Sequence, residues 1–97
     1  MEVDVAKLEV THDPQAGRFQ ISVNSLRAVL EYDMEDNAMV FTHTGVPGPL
    51  EGQGVGAKLA KTGLEFARAH GHKVVPACEF IHVYLRRHPE YKDLLLE

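Results

Sequence analysis

Halfway along this chain the apolar residues change period, and the point of change is a run of glycine. Residues 45–61 read GVPGPLEGQGVGAKLAK, five glycines and two prolines set directly against a helical stretch. Before this run apolar residues recur at every second position, and after it at every third or fourth. Strand patterns followed by helical ones predict a sheet with helices packed against it. Gly52, Gly54 and Gly56 alternate just ahead of the helix. Glycine loses more backbone freedom on folding than any other residue, so this alternation implies backbone lying very close to something. A phosphate, a packed strand and a loose loop are the three candidates.

The first half divides at its turn signals. EVDVAKLEV (residues 2–10) alternates at Val3 and Val5 and then at Leu8 and Val10, with a slip at Ala6-Lys7 that reads as a bulge. THDPQAG is a turn, punctuated by Asp-Pro and Gly. RFQISV places Phe19, Ile21 and Val23 on one face, and SLRAVLEYDM continues with Leu26, Ala28, Leu30 and Tyr32. After the turn EDN, AMVFTHT is apolar on both faces, as a central strand is. From Val55 a helical stripe runs through Leu59, Gly63 and Phe66, with Ala60, Leu64 and Ala67 alongside, and Gly71 stops it. KVVPA is a brief buried strand, and CEFIHVYLRRHPEY is a second helix ending near His88, ahead of Pro89. The expected order is four antiparallel strands, helix, strand, helix, in one α+β domain over residues 1–97.

Charge and cysteine usage narrow the partners. A net charge of -4 and a pI near 5.8 argue against a nucleic-acid binder, which carries a basic face. MEVDVAKLEV lacks the basic segment and apolar core of a signal peptide, and no apolar run approaches the roughly 20 residues of a membrane span, so a cytoplasmic location is expected. With Cys78 as the only cysteine, no intramolecular disulfide forms and a reduced thiol is expected. His70, His72, Cys78 and His82 follow no standard zinc spacing, so no metal is expected.

A helix start carries unsatisfied N–H groups and the positive end of the helix dipole, so glycines ahead of it make an anion site. The P-loop pattern fails here, because Ala57 separates Gly56 from Lys58 and no hydroxyl follows that lysine. The dinucleotide fingerprint is approached by Gly52, Gly54 and Ala57, but VPGPL stands between them and the preceding strand, and too little chain follows. EGQGVGAKLAKTGLEFA instead resembles motif A of the GCN5-related N-acetyltransferases, whose [QR]-x-x-G-x-[GA] loop binds the pyrophosphate of acetyl-coenzyme A on backbone amides. Gly54 and Gly56 stand at its glycine positions, while Glu51 replaces the usual Arg or Gln. HTGVPGPLEGQGVG and KVVPACEFIHVYLRRHPEYKDLL extend the resemblance to the small single-domain subgroup of that superfamily, over residues 20–96. The fold this implies is a minimal acyl-coenzyme A N-acyltransferase fold, a mostly antiparallel mixed sheet with strands 4 and 5 splayed and two helices in the C-terminal half.

The resemblance also implies acetyl-coenzyme A as cosubstrate and an amine acceptor, either a small molecule or a lysine of a protein or peptide. Its implied cofactor-binding residues are Val46, Gly52, Gln53, Gly54, Val55, Gly56, Ala57, Lys58 and Arg87. Acetyl transfer needs a neutral amine, a polarised carbonyl and an acid for the departing thiolate. A splay between the fourth and fifth strands would set His43, Cys78 and Tyr84 beside the acetyl group. Tyr84 would protonate the leaving thiolate and His43 would take a proton from the amine. Cys78 lies at a helix start, where the dipole favours a thiolate, and would carry the acetyl group as an acetyl-cysteine. His82, four residues on, shares its helix face and is a candidate base for it. The plain readings of these residues are a packed strand-end histidine, a small buried cysteine and a helical tyrosine with a wet hydroxyl. The competing reading is a coenzyme A or acyl-coenzyme A binding module without transferase activity, the small fold leaving no formed acceptor pocket. The acceptor site is expected to be open, or completed by a second subunit in a homodimer.

Overall fold

A computed structural model describes residues 1–96 of the protein. The elements that build it are β1 (Thr11–Asp13), β2 (Arg18–Val23), β3 (Leu26–Glu35), β4 (Ala38–Gly45), α1 (Val55–Ala69), β5 (Lys73–Pro76) and α2 (Glu79–Arg87). They form a five-stranded sheet in sequence order, antiparallel from β1 to β4 and parallel between β4 and β5. Strand alternation puts Phe19, Ile21, Ala28, Leu30 and Tyr32 on a buried face. The stripe of α1 covers that face with Leu59, Ala60, Leu64 and Ala67. Helix and sheet pack closely at Gly63, where a Cβ would lie 2.9 Å from Leu30 Cδ2 and 3.1 Å from Phe41 Cε1.

On the same core cluster sit Ile81, Tyr84 and Leu85 of α2, with Tyr91 and Leu94 of a 3-10 segment, Pro89–Leu94. That segment is fastened to α1 by the Tyr91 hydroxyl, which donates to Glu65 Oε2 at 2.6 Å, and by an Arg68–Asp93 ion pair at 2.9 Å. The alternate residues of the strands, among them Arg18, Gln20, Arg27 and Glu31, face the other way.

Residues 2–10 are not a strand, contrary to their alternation. Val3, Val5, Leu8 and Val10 pack half-buried against the core cluster, and a 3-10 turn at Val5–Lys7 takes up the slip at Ala6-Lys7. Their carbonyls are satisfied by a side chain instead of a neighbouring strand. Lys58 Nζ donates to Val5 O at 2.7 Å and also to Leu8 O. The strand that pairs with β2 is Thr11–Asp13, inside the segment expected to turn, and the turn is confined to Pro14–Gly17. Gly17 has φ 67, and a Cβ there would lie 2.6 Å from Tyr32 O, so both conformation and space require glycine.

β4 outruns β5, and this opens the sheet. Their pairing covers Ala38–Phe41 against Lys73–Pro76 and stops. Beyond it Thr42 is an extra residue between the pairs Tyr32↔Phe41 and Glu31↔His43, a bulge that bends and twists the strand. β5 ends at Pro76, which has no N–H to extend the ladder. The Cys78 N–H still reaches across to Phe41 O at 2.9 Å, and from there the chain turns into α2. Strands 4 and 5 are therefore splayed from Thr42 onward.

Candidate functional site

The glycine loop meets this opening. Leu50, fully buried, anchors the loop behind a short 3-10 turn. Gly52 at φ 76 and Gly54 at φ 90 then take left-handed conformations that side chains disfavour. A Cβ at either would meet nothing within 4 Å, so these two glycines answer a demand of the backbone, not of space. α1 begins at once, with the Lys58 N–H donating to Gly54 O at 3.0 Å. The amides of Gly52 through Ala57 donate to no protein acceptor among the described residues. They form a row of free donors at the positive end of a 15-residue helix.

These amides edge a cavity of about 540 Å³. Thr44 and Val46 line it on the β4 side, Leu50 and Glu51 beneath, and Phe80 of α2 opposite. Gly56 serves a different need from its neighbours: its φ is ordinary, but a Cβ would lie 2.8 Å from Phe80 Cζ. The absence of a side chain lets the ring lie on the first turn of α1 and form the far wall.

Of the residues implied for the cofactor, Val46, Gly52, Gly54, Val55, Gly56 and Ala57 line this cavity. Gln53 and Lys58 direct their side chains elsewhere, to the N-terminal segment. The Val3 N–H donates to Gln53 Oε1 at 2.9 Å, while Gln53 Nε2 donates to Met1 O at 2.5 Å and to Pro49 O at 3.1 Å. Together with Lys58 they strap residues 1–8 to the loop and to α1. Arg87 lies beyond Phe80, in a neighbouring cleft of about 170 Å³ that it shares with Tyr84 and His88. Ala57 and Phe80 border both spaces.

The three residues implied for chemistry have different surroundings. Cys78, half-buried, is the N-cap of α2, and its Sγ lies 3.4 Å from Thr44 Oγ1 at the base of the splay. Tyr84 stacks on His88 with centroids 3.9 Å apart. Burial, with Glu90 and Glu65 nearby, pushes its phenol pKa up and keeps it protonated. Its hydroxyl has no hydrogen-bond partner among the described residues. His43 pairs with Glu31, on the sheet face away from α1. Its ring folds over Gly45, with Nε2 3.0 Å from where a Cβ would stand. His82 is exposed, lining a separate groove on the outer side of α2.

Thr44 and Phe80 are the site residues that sequence reasoning missed. The bulge at Thr42 carries Thr44 onto the cavity side, and nothing in AMVFTHT marks it. Phe80 did leave a signal, as an aromatic four residues before Tyr84 on one helix face. Among the described residues no group of histidine, cysteine, aspartate or glutamate is placed to hold a metal ion. No described helix is long and apolar enough to cross a membrane.

A mixed sheet split between parallel β4 and β5, with a glycine loop and helix start at the mouth, defines the acyl-coenzyme A N-acyltransferase fold. Residues 18–94 match the model of the GCN5-related N-acetyl-transferase family, and the chain belongs to that family. It is also similar to the NMR solution structure of a GCN5-like candidate N-acetyltransferase from Staphylococcus aureus. The two share 33% sequence identity and a TM-score of 0.74, over 94% of this chain and 90% of the other. Both comparisons point to acetyl transfer as the class of chemistry, and the family's cosubstrate is acetyl-coenzyme A.

Proposed function

We propose that this protein binds acetyl-coenzyme A, with its pyrophosphate on the amides of Gly52–Ala57, and transfers the acetyl group to an amine. The observation that carries this reading is the row of unpartnered amides at the start of α1, opening on a cavity walled by Thr44, whose hydroxyl meets the Cys78 thiol. Donors already in place bind an anion without the cost of reorganising the loop. Past Phe41, β4 has no strand partner on its β5 side among the described residues, so the amides of an extended pantetheine arm would pair there as an added strand does.

In the covalent route the Cys78 thiolate attacks the thioester carbonyl, and the carbon–sulfur bond to coenzyme A breaks. The departing thiolate takes a proton from Tyr84, which its raised pKa keeps available at neutral pH. The amine then attacks the acetyl-cysteine, releases Cys78 and loses a proton to His43. In the direct route the amine attacks the thioester itself and Cys78 only borders the acetyl group. A cationic acceptor suits the open sheet face, where His43 stands beside Glu31 in a protein of net charge -4. A small polyamine and a lysine side chain both meet that description.

Calorimetric titration with coenzyme A, then intact-mass measurement after incubation with acetyl-coenzyme A, tests the reading on wild type and on Cys78→Ala. One acetyl group on the wild type alone supports the covalent route. Turnover with an amine but no adduct supports direct transfer. Coenzyme A binding with neither adduct nor turnover across a panel of amines leaves an acyl-coenzyme A binding module. Absence of coenzyme A binding overturns the proposal.

A further inference from the structure

A second groove lies on the outer side of α2, with a volume of about 310 Å³, and shares no lining residue with the cavity at the glycine loop. Its floor is apolar, made by Leu85, Pro89, Leu95 and Pro76. Its rim carries His82, Arg86 and Lys92, and its described lining contains no carboxylate. His82 and Arg86 stand four apart on one face of α2, while Lys92 arrives from the following 3-10 segment, so two elements bring cations to one mouth. None of the three side chains enters a hydrogen bond or ion pair among the described residues. The contrast is with Arg68, which holds Asp93, and Lys58, which holds the N-terminal carbonyls.

The composition makes this concentration informative. In a chain with 14 acidic and 10 basic residues, cations gathered around an apolar floor with no ion-pair partner among the described residues repel one another. An apolar floor alone attracts any hydrophobe, and a cationic rim alone any anion. The combination selects a molecule that has both parts. The volume lies at the small end of ligand pockets, which span roughly 300–1,000 Å³. The floor is also set in advance: the Leu95 N–H donates to Lys92 O at 3.2 Å, and the Leu96 N–H to Val74 O at 3.0 Å. Arg86 offers the planar fork that matches a carboxylate.

We propose that this groove is a binding site for a small amphipathic carboxylate, an alkyl or aryl acid whose tail lies on Leu85, Pro89 and Leu95 and whose carboxylate meets Arg86 and Lys92. The site is separate from the cofactor cavity, with α2 between them: Phe80 faces one and Arg86 the other.

The test is a titration of isotope-labelled protein with sodium octanoate, followed by amide chemical shifts, with octanamide as the neutral control of equal length. Saturable shifts at His82, Arg86, Lys92 and Leu95 are expected, with octanamide weaker by roughly tenfold or more. The double variant Arg86→Ala/Lys92→Ala, altered at two exposed positions, should keep a dispersed spectrum and lose octanoate affinity by a similar factor. Non-saturating shifts spread over the surface overturn the proposal. So do saturation at the glycine-loop amides, equal affinity for octanamide, or undiminished binding by the double variant.

Discussion

Gly54 and Gly56 lie two residues apart in one loop, and the structure assigns them opposite reasons for being glycine. At Gly54, φ 90 is left-handed and a Cβ meets nothing, so Gly54→Ala introduces backbone strain without a clash. That strain is about 1–2 kcal/mol for a non-glycine residue. At Gly56 the φ is ordinary and the three nearest atoms to a Cβ all belong to the ring of the half-exposed Phe80, the closest at 2.8 Å. A side chain that can swing away relieves that contact cheaply, and alanine gains up to about 1 kcal/mol of helix preference over glycine. Gly54→Ala should therefore cost free energy, whereas Gly56→Ala should leave stability near that of wild type and only displace Phe80. The Gly54 strain divides between two observables. If the free loop holds its shape, the fold loses the full amount, a fall in Tm of roughly 4–16 °C for a domain of this size. If the free loop relaxes, stability is kept, and coenzyme A must restore the strained form, weakening its binding by roughly fivefold to thirtyfold. Urea denaturation and calorimetric titration on the same variant measure both parts, and their sum should come to about 1–2 kcal/mol. A sum near zero for Gly54→Ala, or a loss of fold for Gly56→Ala, refutes the assignment.

Three further outcomes follow from particular contacts. Lys58→Met removes the donor to the Val5 and Leu8 carbonyls, so hydrogen exchange at the Val3, Lys7 and Leu8 amides should quicken by roughly tenfold while Leu30 and Leu59 stay protected. Equal acceleration throughout would show that the strap is not a separable unit. His12 stacks on Phe19 at 4.1 Å and shares a 2.5 Å hydrogen bond with the Tyr32 hydroxyl; burial lowers its pKa, outweighing Asp13, which acts in the opposite sense. The fold thus favours neutral imidazole, a contribution present above the ordinary value of 6.5 and lost as pH falls through the lowered folded value. Urea midpoints of wild type should drop on acidification relative to those of His12→Phe, and a difference independent of pH contradicts this. Thr44→Val keeps the cavity shape but removes the hydroxyl 3.4 Å from Cys78 Sγ, so the rate of thiol alkylation by iodoacetamide should change in a protein of unchanged stability. An identical rate would mean that the contact does not position the thiol.

Periodicity carried most of the fold, and it failed where a side chain replaced a strand. β2, β3, β4, α1, β5 and α2 lie where their apolar spacing places them, because each buries one face against the others. Residues 2–10 carry the same spacing for the same reason, since Val3, Val5, Leu8 and Val10 also bury against the core. What alternation does not encode is which groups satisfy the backbone. Lys58, about fifty residues away, takes those carbonyls and no strand pairs there. Bonds to the N-terminal segment likewise direct the side chains of Lys58 and Gln53 away from the cavity. Within the loop, glycine spacing together with the helix start behind it marked the row of free amides, because a left-handed backbone at Gly52 and Gly54 restricts residue type locally.

Strict alternation from Phe41 would put His43 on the helix face and Thr44 on the open one. The extra residue at Thr42 exchanges them. The bulge that exchanges these faces lies where β4 leaves β5, so a single insertion is associated with both the opening in the sheet and the sides from which it is approached. On the proposed function this has a chemical use. The thioester would enter from the helix face, along the free amides and past Thr44, while the imidazole of His43 stands on the other face. An amine approaching the open side would then reach the acetyl carbon through the splay without crossing the proposed coenzyme A cleft. The two reactants would then need no shared pocket, and a sheet covered on one side by α1 and α2 would suffice to bring them together.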